Sequence, residues 1–354
     1  MKVVVACGGT GGHAFPGLAV AEELRRRGHE VQVWDSGRAI ESSVMKSWTG
    51  DVFSTGAKQL RPRYAFALVR SFFRCRRQLR KFRPAALLAM GSYSSLPPVL
   101  AARSCGVSVC LHEANTVPGK AVEFLSRFAK AVAVSFEVTK KWLPAAHTVH
   151  TGLPVRAEIA KGMRFPFVPA NAFTVFVTGG SQGAHAVNRL ASEALVMLHG
   201  EISARGAGGR PLYVIHQTGV KDEDLVREAY RRAALPARVH AFESAMADAF
   251  ATADVVVARA GASTCFELAA CAKGALLIPL PTALRNHQHF NAEAFVAAGA
   301  ADEGIQSELA ASQLCRYLLQ KYDHPEKLVE MGGKMRALAT PDAAAKVAEM
   351  IESL

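Results

Sequence analysis

The sequence predicts an α/β protein of two doubly wound, parallel-sheet domains, and three observations carry that prediction. Short apolar runs alternate with helical periodicity along the chain, a strand-and-glycine-turn motif occurs twice, and a proline-bearing stretch interrupts the alternation near the middle. Strands alternating with helices argue for parallel sheets built from βαβ units. A chain of 354 residues exceeds one typical domain, so two is the natural expectation. Half of the residues are hydrophobic and a fifth are charged, which suffices for sizeable cores.

In chain order, the strand candidates are "KVVVAC", "EVQVW", "ALLAM", "SVCLH" and "AVAVS", then "FTVFVT", "LYVIHQ", "RVHAF", "ADVVVAR" and "GALLIPL". Between the two sets lies "KGMRFPFVPANAF", which reads as a linker and puts the domain boundary between Pro154 and Pro169. The repeat is specific. "VVVACGGTGG" has a counterpart in "VFVTGGSQGA", with Gly8, Gly9 and Thr10 falling on Gly179, Gly180 and Ser181. Each copy is a strand, a double glycine, a hydroxyl residue and an apolar helix, so the carboxyl ends of two sheets are expected to face each other across a cleft.

After a strand, glycines make the tight turn and admit a ligand to the backbone, and the next helix offers its N-terminal N–H groups to an anion. A turn that binds nothing is the plain alternative. Gly9, Gly11 and Ala14 also satisfy G-x-G-x-x-A, and Asp35 ends the second strand, where a dinucleotide-binding domain places its ribose-binding acid. Against a dehydrogenase stands the duplication, since such an enzyme needs one loop of this kind. A third glycine turn, "GSYSS" at residues 91–95, follows another strand. Three anion-ready turns over two domains suit two phosphate-bearing substrates.

Seven cysteines without a CxxC pair read as reduced thiols of a cytosolic protein. "KVVVAC" is already a buried-strand pattern, so no signal peptide is expected. No apolar run approaches the roughly 18 residues of a spanning helix. The net charge of +12 is concentrated, because residues 52–112 hold eleven Lys or Arg and no acid. Such a stretch suits nucleic acid, anionic lipid or a phosphorylated substrate.

"GGTGGHAFPGLAVAEEL", "MGSYSSLPPVLAA", "LHEAN", "TGLPVR", "GGSQGAHAVN", "ADVVVARAGASTCFELAA" and "NHQHFNA" stand in the order and spacing of one family. From Val3 to about Ala298 the chain resembles the MurG family, peptidoglycan N-acetylglucosaminyltransferases. The resemblance implies the GT-B fold, two Rossmann-like domains facing across a cleft. It implies a lipid acceptor- and membrane-binding domain of residues 1–155 with a returning helix at about 341–354, and a donor-binding domain of residues 156–340. It implies inverting transfer of GlcNAc from UDP-GlcNAc to the C4 hydroxyl of MurNAc in undecaprenyl-pyrophosphoryl-MurNAc-pentapeptide (lipid I), giving lipid II. Its near neighbours are other GT-B enzymes such as a UDP-GlcNAc epimerase. It places the enzyme peripherally on the cytoplasmic face of the inner membrane, with other cell-wall synthesis proteins as further partners and no cofactor.

Residue by residue, the resemblance implies that Thr10, Gly11 and Gly12 line the cleft against the donor and that His13 faces the reacting centre. Asn115 matches a contact to donor sugar and acceptor, Arg156 and Ser181 match nucleotide contacts, and Gln288 matches a GlcNAc hydroxyl contact. In the run Ala262, Ser263, Thr264, Cys265, Phe266 and Glu267, the closing carboxylate matches the ribose site, where two oxygens accept from vicinal hydroxyls. A solvated helix charge is the alternative for Glu267. Gly91, Ser92 and Tyr93 are assigned to the acceptor diphosphate. Three positions depart from the family pattern: Ala114, Leu153, and Glu243, which replaces an apolar residue whose backbone meets uracil.

Glycosyl transfer needs a deprotonated acceptor hydroxyl, an oxocarbenium-like centre and stabilisation of the departing diphosphate. His13 is the candidate base, because a helix N-terminus disfavours imidazolium and keeps the ring able to accept a proton. A hydrogen bond to substrate or phosphate is its alternative role, and Glu113 is the alternative base. No metal is expected. Asp222 and Asp224, around Glu223, read as helix capping, and His287 and His289 fall in a polar loop without nearby carboxylates. The leaving group would be met by Arg156, backbone N–H groups and helix dipoles. In the basic stretch, Leu68, Phe72, Cys75, Leu79 and Phe82 form a core face, while Phe66, Val69 and Phe73 lie opposite among Arg70, Arg76, Arg77 and Arg80. A helix apolar on its outer side and ringed with arginine suits an anionic membrane surface. A solvated charged face is the alternative, and no recognised nucleic-acid module surrounds the patch.

Overall fold

The structure is a computed structural model that describes residues 1–9, 11–38, 45, 48–58, 64–206 and 208–354. Thr10 lies outside the described residues. The chain divides into two units, Met1–Arg156 with Thr340–Leu354, and Ala157–Ala339.

The first unit carries strands β1 (Lys2–Ala6), β2 (Glu30–Asp35), β3 (Val52–Ser54), β4 (Ala86–Ala89), β5 (Ser108–Glu113), β6 (Ala131–Val134) and β7 (Thr148–His150). They form one parallel sheet in the order β3-β2-β1-β4-β5-β6-β7. Helices α1 (Gly11–Arg26), α2 (Ala65–Phe82), α3 (Leu96–Ser104) and α4 (Lys120–Leu125) connect them. Side chains alternate across a strand, and β1 shows what this produces. Val3 and Val5 pack with Leu18 and Leu24 of α1, whereas Val4 packs with Cys75 and Leu79 of α2 and Val99 of α3. A strand covered on both faces has no polar side, which is why "VVVA" is a continuous apolar run.

The C-terminal helix, Ala343–Glu352, belongs to this unit. Its Val347, Ala348 and Ile351 complete the α1 face of the core. Arg27 adds ion pairs to Glu349 and Glu352, at 3.2 and 2.8 Å.

The second unit repeats the plan. Strands β8 (Phe173–Thr178), β9 (Leu212–Gln217), β10 (Ala237–His240), β11 (Val255–Ala258), β12 (Ala275–Leu277) and β13 (Ala301–Glu303) form a parallel sheet in the order β10-β9-β8-β11-β12-β13. The helices are α5 (His185–Ala204), α6 (Glu223–Arg232), α7 (Met246–Thr252), α8 (Ala262–Cys271), α9 (His287–Val296), α10 (Ala311–Asp323) and α11 (Pro325–Ala337). Both units are Rossmann-like doubly wound domains.

The proline-bearing stretch is not a free tether. Phe165 N donates to Thr252 Oγ1 at 2.9 Å, Arg164 donates to Thr252 O at 2.9 Å, and Phe165 and Val168 are buried. Asp222 does not cap α6 with its side chain either. Its carboxylate pairs with His185 Nδ1 and accepts from Asn188 Nδ2, at 2.8 and 2.7 Å, binding α6 to α5.

Candidate functional site

In a doubly wound sheet, ligands bind beyond the carboxyl ends of the strands where the strand order reverses. That point lies between β1 and β4 in the first unit and between β8 and β11 in the second.

In the first unit the turns after β1 and β4 meet there. Ser94 Oγ donates to Gly8 O, and Ser95 Oγ donates to Gly91 O. His13, third residue of α1, stands between the two turns. A Cβ on Gly9 would lie 3.2 Å from His13 Nδ1 and 3.3 Å from Ser92 Oγ, and one on Gly91 would lie 3.7 Å from His13 Cδ2. Gly9 and Gly91 also have φ of 144° and 84°, which side chains rarely adopt. The glycines therefore leave room for an imidazole against bare backbone. Gly11 and Gly12 open α1, so their N–H groups lie at the positive end of its dipole. Arg156 lays its guanidinium 4.2 Å from the Phe15 ring centroid on the same helix.

Beside this crevice β5 ends in His112 and Glu113. Burial pushes the His112 imidazole down to about 4, so it is neutral at ordinary pH. Burial also raises the Glu113 carboxyl, against hydrogen bonds that favour its charged form. Its Oε1 accepts from Asn115 N and Nδ2 at 2.9 and 3.1 Å, and its Oε2 from Gly119 N at 2.9 Å. With both oxygens engaged, Glu113 organises the loop that carries Asn115. Ala114 leaves this arrangement intact, and Leu153 is fully buried. Asp35, the acid of the dinucleotide alternative, is held by Gly37 N at 3.0 Å and Ser54 Oγ at 2.5 Å.

In the second unit the β8 turn is closed on itself. Gly180 N donates to Thr178 Oγ1 at 3.1 Å, and Gly183 N to Gly180 O at 2.9 Å. A Cβ on Gly183 would fall 1.9 Å from Thr218 O, so only glycine fits. Ser181 takes part in neither bond. Across from it, α8 begins after extended Gly261, so Ala262, Ser263 and Thr264 form the helix's N-terminal turn. Cys265 and Phe266 point into the core, and Glu267 is half-buried. Asn291 Nδ2 donates to Ala260 O at 3.2 Å, and Gln288 Oε1 accepts from Leu280 N at 3.0 Å. Glu243, after β10, is buried and paired with Arg238.

The His287/His289 expectation needs correction. Both residues lie on α9, and His289 Nδ1 is 2.7 Å from Glu303 Oε1. A carboxylate is present because β13 runs beside β12 and brings Glu303 back to the helix. Among the described residues no three His, Cys, Asp or Glu side chains cluster as a ligand set.

Sequence reading did not single out Arg259. It is buried, and it donates to Ile278 O and Pro279 O at 3.1 and 3.0 Å and to Gln306 Oε1 at 2.5 Å. This side chain braces the strand ends that lead to Gln288. Its place in "ADVVVAR" was the available signal, since a charge ending an apolar strand needs buried partners.

The fold and its paired crevices define a class: residues 3–134 match the glycosyltransferase family 28 N-terminal domain, and residues 174–347 match the glycosyltransferase family 28 C-terminal domain. Full-length relatives are more specific. A protein of Geotalea uraniireducens (strain Rf4) is 38% identical over 97% of this chain and 96% of its own length, and one of Myxococcus xanthus (strain DK1622) is 36% identical over 100% and 93%. Both are named UDP-N-acetylglucosamine–N-acetylmuramyl-(pentapeptide) pyrophosphoryl-undecaprenol N-acetylglucosamine transferase. The crystal structure of Acinetobacter baumannii MurG superposes with a TM-score of 0.77 at 29% identity, covering 100% of this chain and 99% of that one. The chain belongs to this family, the MurG glycosyltransferases. A UDP-GlcNAc 2-epimerase from Neisseria meningitidis, bound to UDP-GlcNAc, superposes with a TM-score of 0.74 at 14% identity over 100% of both chains, a likeness of fold alone.

Proposed function

We propose that this chain transfers GlcNAc from UDP-GlcNAc to the C4 hydroxyl of MurNAc in undecaprenyl-pyrophosphoryl-MurNAc-pentapeptide, converting lipid I to lipid II. The observation that carries this reading is 38% identity, over nearly the whole of both chains, to a relative bearing that name. The first unit serves the lipid acceptor, with Gly91, Ser92 and Tyr93 at its diphosphate. The second serves the donor, with Ser181, the N-terminal turn of α8, Glu267 and Gln288 holding nucleotide and sugar; Arg156 is a further nucleotide contact. The backbone of Glu243 meets the base.

The reaction is a single displacement with inversion. His13 takes the proton from the C4 hydroxyl as its oxygen attacks the anomeric carbon, and the bond to the UDP oxygen breaks. Helix N-termini, backbone N–H groups and Arg156 stabilise the charge that develops on the diphosphate. Glu113 positions Asn115. Among the described residues no helix is long and apolar enough to cross a membrane. The enzyme meets its acceptor at the cytoplasmic membrane surface through Phe66, Val69 and Phe73 with Arg70, Arg77 and Arg80.

Incubation with UDP-GlcNAc and a short-chain lipid I analogue tests the reading. UDP and a disaccharide product should appear together and only with acceptor present. Acceptor-independent release of UDP, or conversion of the donor to an epimer, would overturn it.

A further inference from the structure

Gln217, at the end of β9, is 1% exposed and grips two loops of the second unit at once. Its Nε2 donates to Gly180 O at 2.9 Å and to Thr178 Oγ1 at 3.1 Å, and its Oε1 accepts from Glu243 N at 3.0 Å. The glycine turn after β8 and the loop after β10 are therefore tied through one side chain. On the far side of that loop Glu243 is itself fixed. Its carboxylate accepts from Arg238 Nε at 2.7 Å, from a second Arg238 nitrogen at 3.2 Å and from Ala245 N at 2.9 Å. Arg238 lies 4.9 Å from the Phe165 ring centroid and 5.7 Å from that of Phe167, and those two rings stack 5.0 Å apart.

Glu243 is only 2% exposed, and a buried carboxylate is retained where its geometry is complete. Here three donors meet it, so the loop cannot move without breaking charge-assisted bonds. None of these bonds uses the half-buried Ser181.

We propose that Gln217 and Glu243 are positioning residues. They lock the loop after β10 to the glycine turn after β8 and hold that turn in the shape that receives a diphosphate, so that nucleoside and diphosphate bind as a coupled unit. The inference rests on the reading that this unit takes UDP-GlcNAc.

Calorimetric Kd values for uridine, UDP and UDP-GlcNAc separate the possibilities in the intact chain and in Gln217→Ala, Gln217→Met and Glu243→Gln. The ratio of the uridine to the UDP Kd reports what the turn gains from the diphosphate. It should fall roughly three- to tenfold in both Gln217 variants, the scale of one buried hydrogen bond. It should fall also in Glu243→Gln, which keeps the shape but loosens the grip of Arg238. Gln217→Met preserves volume, so a wild-type melting temperature with a lowered ratio separates the relay from damage to the fold. An unchanged ratio, whether the ligands weaken alike or not at all, overturns the coupling. A fall in the Gln217 variants alone removes Glu243 from it. Wild-type protein that binds no UDP overturns the donor reading itself.

Discussion

His13 sits between two glycine turns, where side chains on Gly9 or Gly91 would press against its ring. The proposal that this ring is the general base has a direct test. His13→Ala should cut turnover by roughly 10²–10⁴-fold, the usual scale of general-base catalysis, with donor affinity little changed. His13→Asn keeps a polar contact but takes no proton at neutral pH, so recovery to near the wild-type rate would make His13 a positioning group. On the donor side Glu267→Ala should weaken UDP and UDP-GlcNAc alike, because both carry the ribose. Gln288→Ala should weaken UDP-GlcNAc more than UDP, and equal losses in direct binding measurements would remove the sugar contact. The leaving diphosphate is assigned to Arg156 and backbone N–H groups, so turnover should persist in excess chelator on metal-stripped protein. Complete loss that Mg²⁺ restores would refute that assignment. At this scale the sequence shows the glycines and His13, because turn chemistry is local. It hides Gln217, Arg259 and Asn291, whose partners are atoms far along the chain that only the sheets bring close.

The elements were legible where burial is symmetric. Central strands are covered on both faces and read as largely apolar runs, most plainly the "VVVA" of β1 and of β11. The strands that escaped the reading, β3, β7 and β13, are three-residue edge strands with sequences "VFS", "TVH" and "ADE". An edge strand of that length has neither a run nor an alternation to show. The helix α2 is the opposite case, because its two faces are separable by eye. Cys75 and Leu79 are buried, whereas Phe66 is 80% and Phe73 58% exposed, with Arg70, Arg77 and Arg80 exposed beside them. Two phenylalanines held in water are unfavourable unless an apolar phase receives them. Each would gain about 1.5–3 kcal/mol on full burial, and each arginine about 1 kcal/mol near an anionic surface. The protein should therefore sediment with anionic vesicles and be released by high salt. Phe66→Ser/Phe73→Ser should bind vesicles less, keep its rate on a soluble acceptor analogue and lose it on vesicle-embedded acceptor. Wild-type sedimentation by that variant, or equal failure on both acceptors, would place the membrane surface elsewhere.

For the molecule as a whole, the chain leaves the first unit at Arg156 and re-enters it at Thr340, so the first core closes only when the last residues return. The C-terminal helix is part of that core rather than an appendage. Val347, Ala348 and Ile351 are fully buried against the face that α1 covers. At about 1.5–3 kcal/mol for each fully buried Val or Ile, the helix contributes a large share of the roughly 5–15 kcal/mol by which a domain is stable. Its rim is electrostatic. The carboxyl of Glu352 is held below the usual range by hydrogen bonds first to His29, against a burial effect, and then to Arg27. A lowered carboxyl pKa stabilises above its unfolded value of about 4.5 and loses that contribution as the pH falls through the folded value. Those pairs are partly exposed, so their share is small and screened by salt, and the apolar contacts dominate. Removing residues 340–354 should therefore unfold the first unit while the second, whose core has no residue from that helix, keeps its own transition. In scanning calorimetry the truncated chain should lose one transition and retain another. Ile351→Ala alone should lower the first transition, with the roughly 2–5 kcal/mol cost of truncating a buried isoleucine. A truncated chain that keeps both transitions at their original temperatures would show that the first core closes without its returning helix.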